Sequence, residues 1–366
     1  MKKQLFILIM VFFAISFTTA YGQVTCPAPR PVDVTCLPND ALHPMAGTPY
    51  TYTVDVPTPP GTKAYTWFVT QDKNFITAGV LTANRETNPG VHIAAAGVGY
   101  NNPPASNTLS ITWKSFLYDA ANPVFVVINV TPTTGCTTSN NLKVYKIMPV
   151  NAFTLDIANV GADKHTVSPY ETNIDRCLSK VVSSTYDPVD DKVKMDFGAD
   201  TLYYVVTAAN FSTSWKPSLK VTAIDPLETV TAVEWFRPTD VAFATPGAMT
   251  LAAGIYTATN PVLVLDPSGT VGSAGECIVI RVIIDHTNGA NLYEGLTDET
   301  VTIAVDGKTQ LASPTPVGDI HFSKTVGIAA DCGLEDGYDN DIATQILKAR
   351  PAVNAVTPTP FLLIKP

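Results

Sequence analysis

Polar and apolar residues alternate in short runs along almost the whole chain. A period of two is the pattern that a β-strand with one buried face imposes. In the first part it is carried by Thr51 to Val56, Ala64 to Val69, Leu109 to Trp113, Val124 to Val130 and Leu142 to Ile147. A second series opens at Ala152 to Ile157. It continues through Leu202 to Thr207, Leu219 to Ile224, Ala232 to Phe236, Val262 to Leu265, Cys277 to Ile284 and Thr300 to Val305. Turn formers separate the runs, among them Pro57 to Gly61, Asn102-Pro103-Pro104, Asp187-Pro188, Asn288-Gly289 and Asp306-Gly307. Only 15% of residues are charged, which disfavours long solvent-exposed helices. The expectation is an all-β chain of tandem antiparallel β-sandwiches with a short C-terminal segment.

The runs fall into two series, so the expected organisation is one sandwich over 23–148, a second over 149–318 and a C-terminal segment over 319–366. Between Asn84 and Ser106 the alternation lapses, which reads as a long loop, either functional or a tolerated insertion. In the last segment, Ile342 to Lys348 reads as two helical turns with Ile342, Ile346 and Leu347 inward. The apolar tail Phe361, Leu362, Leu363 and Ile364 would dock on its own domain. Failing that, it would complete the open sheet edge of a neighbour.

Residues 1–22 give the chain its address. Lys2 and Lys3 precede the apolar run Leu5 to Phe17 and the small-residue site at Ala20-Tyr21-Gly22, the layout of a secretory signal peptide. No later run is long enough for a transmembrane helix, so the expected product is exported, extracellular or at the cell surface, with a periplasmic location also open. All six cysteines follow that segment, in a compartment where disulfides persist. One early and one late cysteine per domain suggests Cys36–Cys136 and Cys177–Cys277, each closing a loop worth about 4–5 kcal/mol in a chain-entropy picture. Cys26 and Cys332 would then bridge across the domains or between molecules. A net charge of −9 without a basic stripe excludes a nucleic-acid partner. The 46% hydrophobic content, spread over so few charges, points to subunit contacts with copies of itself or other surface proteins.

Cys36 ahead of Tyr50 to Val54, then Tyr65 to Val69, Leu109 to Trp113 and Gly135-Cys136 with Ser139-Asn140 together resemble the Ig-like and PKD-like modules of exported Bacteroidetes proteins. That resemblance covers about a third of the chain and implies a sandwich used as spacer, adhesion unit or assembly subunit. Glu276 to Asp306 faintly resembles a Calx-β repeat. The likeness implies calcium held by Asp285, Glu294, Asp298 and Glu299 at one end of the second sandwich, against the alternative of a solvated acidic turn. A separate cluster, Asp331, Glu335, Asp336, Asp339 and Asp341 around Gly337, offers oxygen ligands of the type calcium takes, or simply a capping loop.

Catalytic constellations are missing from the sequence. The histidines, His43, His92, His165, His286 and His321, show no zinc spacing and read as lone surface or half-buried residues. No nucleophile elbow, phosphate loop or Cys-x-x-Cys occurs. Four tryptophans, Trp67, Trp113, Trp215 and Trp235, would be core anchors or, if exposed, a stacking surface for glycans. The functional expectation is a non-enzymatic exported structural protein, a subunit of a surface assembly, filament or adhesion layer. The alternative is a carbohydrate-binding surface module.

Overall fold

The computed structural model describes residues 23–30, 39–57, 61–102, 105–135, 137–150, 152–189, 191–212, 214–222, 224–260, 270–271, 274–288, 291–310, 319, 338, 341–353 and 363–364. These residues contain strands and no helix, so the chain is all-β as its alternation demands. The first strands are β1 (Pro49–Thr53), β2 (Lys63–Thr70), β3 (Ile76–Thr77), β4 (Val80–Leu81), β5 (Ile93–Ala96), β6 (Thr108–Trp113), β7 (Val124–Pro132) and β8 (Asn141–Ile147). Two three-stranded antiparallel sheets, β1-β6-β5 and β2-β7-β8, share one apolar core around Trp67, Trp113, Ile111 and Ile128. The supposed loop from Asn84 to Ser106 contributes β5, and polar side chains staple the rest. The Glu86 carboxylate accepts from the His92 main-chain N–H (2.9 Å) and contacts its Nδ1, while Asn88 pairs with both main-chain groups of Ala96. Alternation is weak there because main-chain and polar side-chain bonds, rather than an apolar stripe, hold the segment.

The remaining strands begin with β9 (Thr154–Val160), β10 (Ile174–Cys177), β11 (Ser183–Asp187), β12 (Lys192–Asp196), β13 (Ala199–Ala209), β14 (Phe211–Ser212), β15 (Ser214–Thr222) and β16 (Thr229–Phe236). They continue as β17 (Gly247–Ala252), β18 (Ile255–Ala258), β19 (Thr270–Val271), β20 (Glu276–Asp285), β21 (Thr287–Asn288), β22 (Asn291–Leu292), β23 (Glu299–Gln310), β24 (Ile342–Lys348) and β25 (Leu363–Ile364). Ten of them form one continuous sheet in the order β10-β24-β23-β15-β18-β17-β16-β20-β13-β9. Its main core gathers Tyr204, Trp215, Ile280, Ile303 and Leu347.

Strands β9 and β13 are buried on both faces, and most of β20 is as well. The second face is covered by the strip 23–30. Val24 joins an apolar cluster with Ala158, Val160, Tyr203, Val205, Phe236, Phe243, Cys277 and Val279. Three expectations change here. First, the strip before residue 31 packs on the second group of strands, although it was assigned to the first domain. Second, the bridge is Cys26–Cys277, closing 251 residues, so Cys277 is not joined to Cys177, which is exposed and free. Cys277 lies fully buried on the face that the strip covers, where Cys26 reaches it. Cys36, Cys136 and Cys332 lie outside the described residues.

Third, Ile342 to Lys348 is a strand, antiparallel to β23 and parallel to β10. Its burial has a period of two, with Ala343, Gln345 and Leu347 inward and Ile342 exposed. An apolar helix stripe and a strand face are hard to separate over seven residues, and here β23 and β10 supply the main-chain partners. Asp306-Gly307 likewise is no turn, because β23 runs through it. Glycine is needed there because a Cβ would lie 2.5 Å from Leu155 Cδ1 and 2.9 Å from the Lys216 carbonyl. The tail strand β25 lies parallel to β12 in the small sheet β11-β12-β25.

Candidate functional site

A groove of about 660 Å3 opens where β10, β12 and the end of β24 come together. Its lining is mainly apolar: Leu178, Val181, Met195, Phe197 and Leu296, with Cys177 at one side. Arg350 fixes its walls. The guanidinium donates to the carbonyls of Ser179 (2.9 Å), Glu294 (2.8 Å) and Phe197 (3.3 Å), and it stacks on the Phe197 ring. One side chain thereby ties together three segments far apart in sequence.

Near the groove lies an ionic cluster that the sequence did not announce. His286 has no exposed surface, in contrast to the lone surface or half-buried residue expected. Its Nδ1 meets Glu228 at 2.5 Å and its Nε2 meets Asp200 at 2.8 Å. Burial alone would lower its pKa. Hydrogen bonds to the two carboxylates and their charge outweigh that and raise it to about 9. With both ring nitrogens engaged, the imidazolium acts as a structural cation rather than a proton acceptor. Glu299 accepts from the Asp225 main-chain N–H at 2.9 Å. One oxygen of Glu228 and one of Glu299 are buried without another donor. Burial, followed by the contact with Glu228, pushes Glu299 up to about 8, so a proton shared between the two carboxyls satisfies both. The Calx-β-like stretch around His286 pointed to calcium, and only the closeness of His286 to Asp200 on β13 and Glu228 before β16 reveals the ionic role.

The residues expected to hold calcium are dispersed. Asp298 is exposed and takes Lys348 Nζ at 2.8 Å and the Ala349 N–H at 2.9 Å, whereas its neighbour Glu299 points inward. Adjacent residues entering a strand face opposite ways. Asp285 ends β20 in register with Ala199 and Thr229, and Glu294 borders the groove. Among the described residues no three acidic, histidine or cysteine side chains converge to hold a metal. In the other cluster, Asp331, Glu335, Asp336 and Asp339 lie outside the described residues. Asp341 is buried and paired with Arg30, which also binds Asp156 and, at 2.8 Å, Glu171. Arg30 therefore pins the strip to β9 and to the start of β24.

Trp67, Trp113 and Trp215 are fully buried, and Trp235 is half-buried with Gly247 lying against its indole. They are core anchors and form no paired stacking platform. In the tail, Leu363 and Ile364 pair with Val193 and Lys194, while Phe361 and Leu362 lie outside the described residues.

No family model matches the sequence, and no curated protein matches it. Solved structures similar to it include the C-terminal domain of the Streptococcus agalactiae antigen I/II polypeptide BspA, at 10% identity and TM-score 0.21, over 58% of this chain and 60% of that one. The chain thus spans less than two thirds of that domain. The major pilin subunit BcpA of Bacillus cereus aligns at 6% identity and TM-score 0.24 over 79% and 86%. The major pilin RrgB of Streptococcus pneumoniae aligns at 10% and 0.21 over 68% and 49%. At TM-scores this low none of them assigns a role to this chain. No helix among the described residues is long and apolar enough to cross a membrane.

Proposed function

We propose that the chain is a non-enzymatic exported structural protein that acts as a subunit of a cell-surface assembly, filament or adhesion layer. One observation carries this reading: an open sheet edge with apolar side chains in solvent, beside an apolar groove. Strand β11 is an edge of its sheet, with no second partner strand among the described residues. Val182, Tyr186 and Val189, on and around it, are 63%, 50% and 90% exposed. A sheet edge next to exposed apolar side chains makes a surface suited to another polypeptide. A disulfide closing 251 residues suits a part that must persist outside the cell. The test is the state of the purified protein. Size-exclusion chromatography and electron microscopy over a concentration series should show ordered oligomers or filaments. A protein that stays monomeric at high concentration refutes the proposal.

A further inference from the structure

The assembly reading leaves open which parts of two copies meet, and the small sheet β11-β12-β25 answers that. Two residues, Leu363 and Ile364, lie parallel to Val193 and Lys194. The β12 edge is therefore a slot that accepts this segment in one defined register. We propose that β12 is a strand-exchange site, filled by Leu363–Ile364 of its own chain in the monomer and by those of a second copy in the assembly.

Four features support exchange over permanent self-docking, and the inference rests on the assembly reading above. The pairing spans two residues, so the main-chain bonds that favour the closed form are few and are regained in full when the same sequence docks on a neighbour. Between Val353 and Leu363 the sequence has nine residues, including Pro358 and Pro360, enough for about 30 Å of extended chain. The slot stands beside an apolar open surface: Val182 precedes β11 and Tyr186 lies on it, both exposed, and Leu296 and Val353 border the groove. A copy held by its tail would cover that surface, adding side-chain burial that self-docking does not provide. Lastly, tail and slot are different surfaces, so each copy both gives and receives. That head-to-tail relation propagates an open chain unless its rotation closes a ring.

The experiment uses full-length protein carrying Cys177→Ser. One preparation carries Val193→Cys and a differently tagged one carries Leu363→Cys. These are register partners on adjacent strands, a spacing a disulfide can bridge. Mixed and assembled under mild oxidation, they should yield a heterodimer whose cross-linked peptide joins the two positions. A single chain carrying both substitutions, oxidised as a dilute monomer, should form the same bond within itself. Removing residues 361–366 should reduce the assembled fraction about tenfold. If the wild type assembles but the mixed preparations never cross-link, exchange is wrong while the assembly reading stands. If the doubly substituted monomer fails to close, the slot does not take the tail and the inference also falls. If the wild type never assembles, both fall.

Discussion

The two sandwiches bury their strands by different routes. The first closes with residues adjacent in sequence: its six core strands lie within 49–147, and its two sheets share one core. The second is made of three separated pieces. Strip 23–30 covers its outer face, 153–310 supplies most strands, and β24 and β25 come from near the end of the chain. Its central strands are covered on both sides and read as near-continuous apolar runs, such as Leu202 to Val206 and Cys277 to Ile284. A sandwich closed locally depends on its own core. One closed by distant pieces depends on whatever holds those pieces in place.

The largest effect should therefore come from cutting the strip loose. Cys26→Ser removes a cross-link over 251 residues, for which chain entropy alone gives about 5.5 kcal/mol. Scanning calorimetry should show the transition of the second sandwich falling by many degrees while that of the first stays in place. Equal shifts in both would mean that the two do not unfold separately, and the comparison would fail. Next in size is Arg30→Met, which leaves Asp156 and Asp341 buried without their cation, at a cost of about 3 kcal/mol. Adding Asp156→Asn and Asp341→Asn should restore much of the loss in urea unfolding. No restoration would show that Arg30 acts through packing on Tyr170 instead.

The same contrast explains what the sequence disclosed. Alternation located β1, β2, β6, β7 and β8 of the first sandwich to within a few residues and missed β5, which main-chain and polar side-chain bonds hold rather than an apolar stripe. It also found β9, β13, β15, β16, β20 and β23, yet it could not say that residues 23–30 lie against β20. That contact joins positions some 250 residues apart, and it is made by a strip with no period. The early and late placement of Cys177 and Cys277 was uninformative, because a bridge follows Cα proximity and not position along a domain. Strand β24 was read as a helix because seven residues are too few to separate the two periods. The groove and the His286 cluster were invisible for a related reason: Asp200, Glu228, His286, Glu299 and Arg350 come from five segments, and only His286 and Glu299 fall in a stretch the sequence singles out, for calcium rather than for an ion pair.

The ionic cluster gives the second sandwich a pH dependence that the first should lack. Glu299 rises from 4.5 to about 8 and His286 from 6.5 to about 9 in the folded protein. Raised values mean that the native state binds protons more tightly than the unfolded chain. The stabilisation is complete below the unfolded values and is lost as pH climbs through the folded ones. Between pH 6 and 9 the second transition should lose stability on the order of a few kcal/mol, with little change in the first. Glu299→Gln keeps a neutral hydrogen-bonding group and should flatten the part of that slope due to Glu299. A slope unchanged in this variant would remove the shared proton from the account.

The smallest effect probes the first sandwich by itself. Trp113 Nε1 donates to the Tyr52 hydroxyl at 3.1 Å inside the core, and that hydroxyl in turn donates to the Ala41 carbonyl. Tyr52→Phe leaves the indole N–H buried without an acceptor, which costs about 1–2 kcal/mol, while ring packing is retained. Trp113→Phe removes the donor as well, so in the double variant the two losses should fall short of additive by about 1 kcal/mol. The midpoint of the first transition reports this, and the second should not move, because neither residue touches the distant pieces that close it. A matching shift in the second sandwich would show that stability crosses from the locally closed unit to the assembled one, and that its dependence on the strip is only part of what holds it.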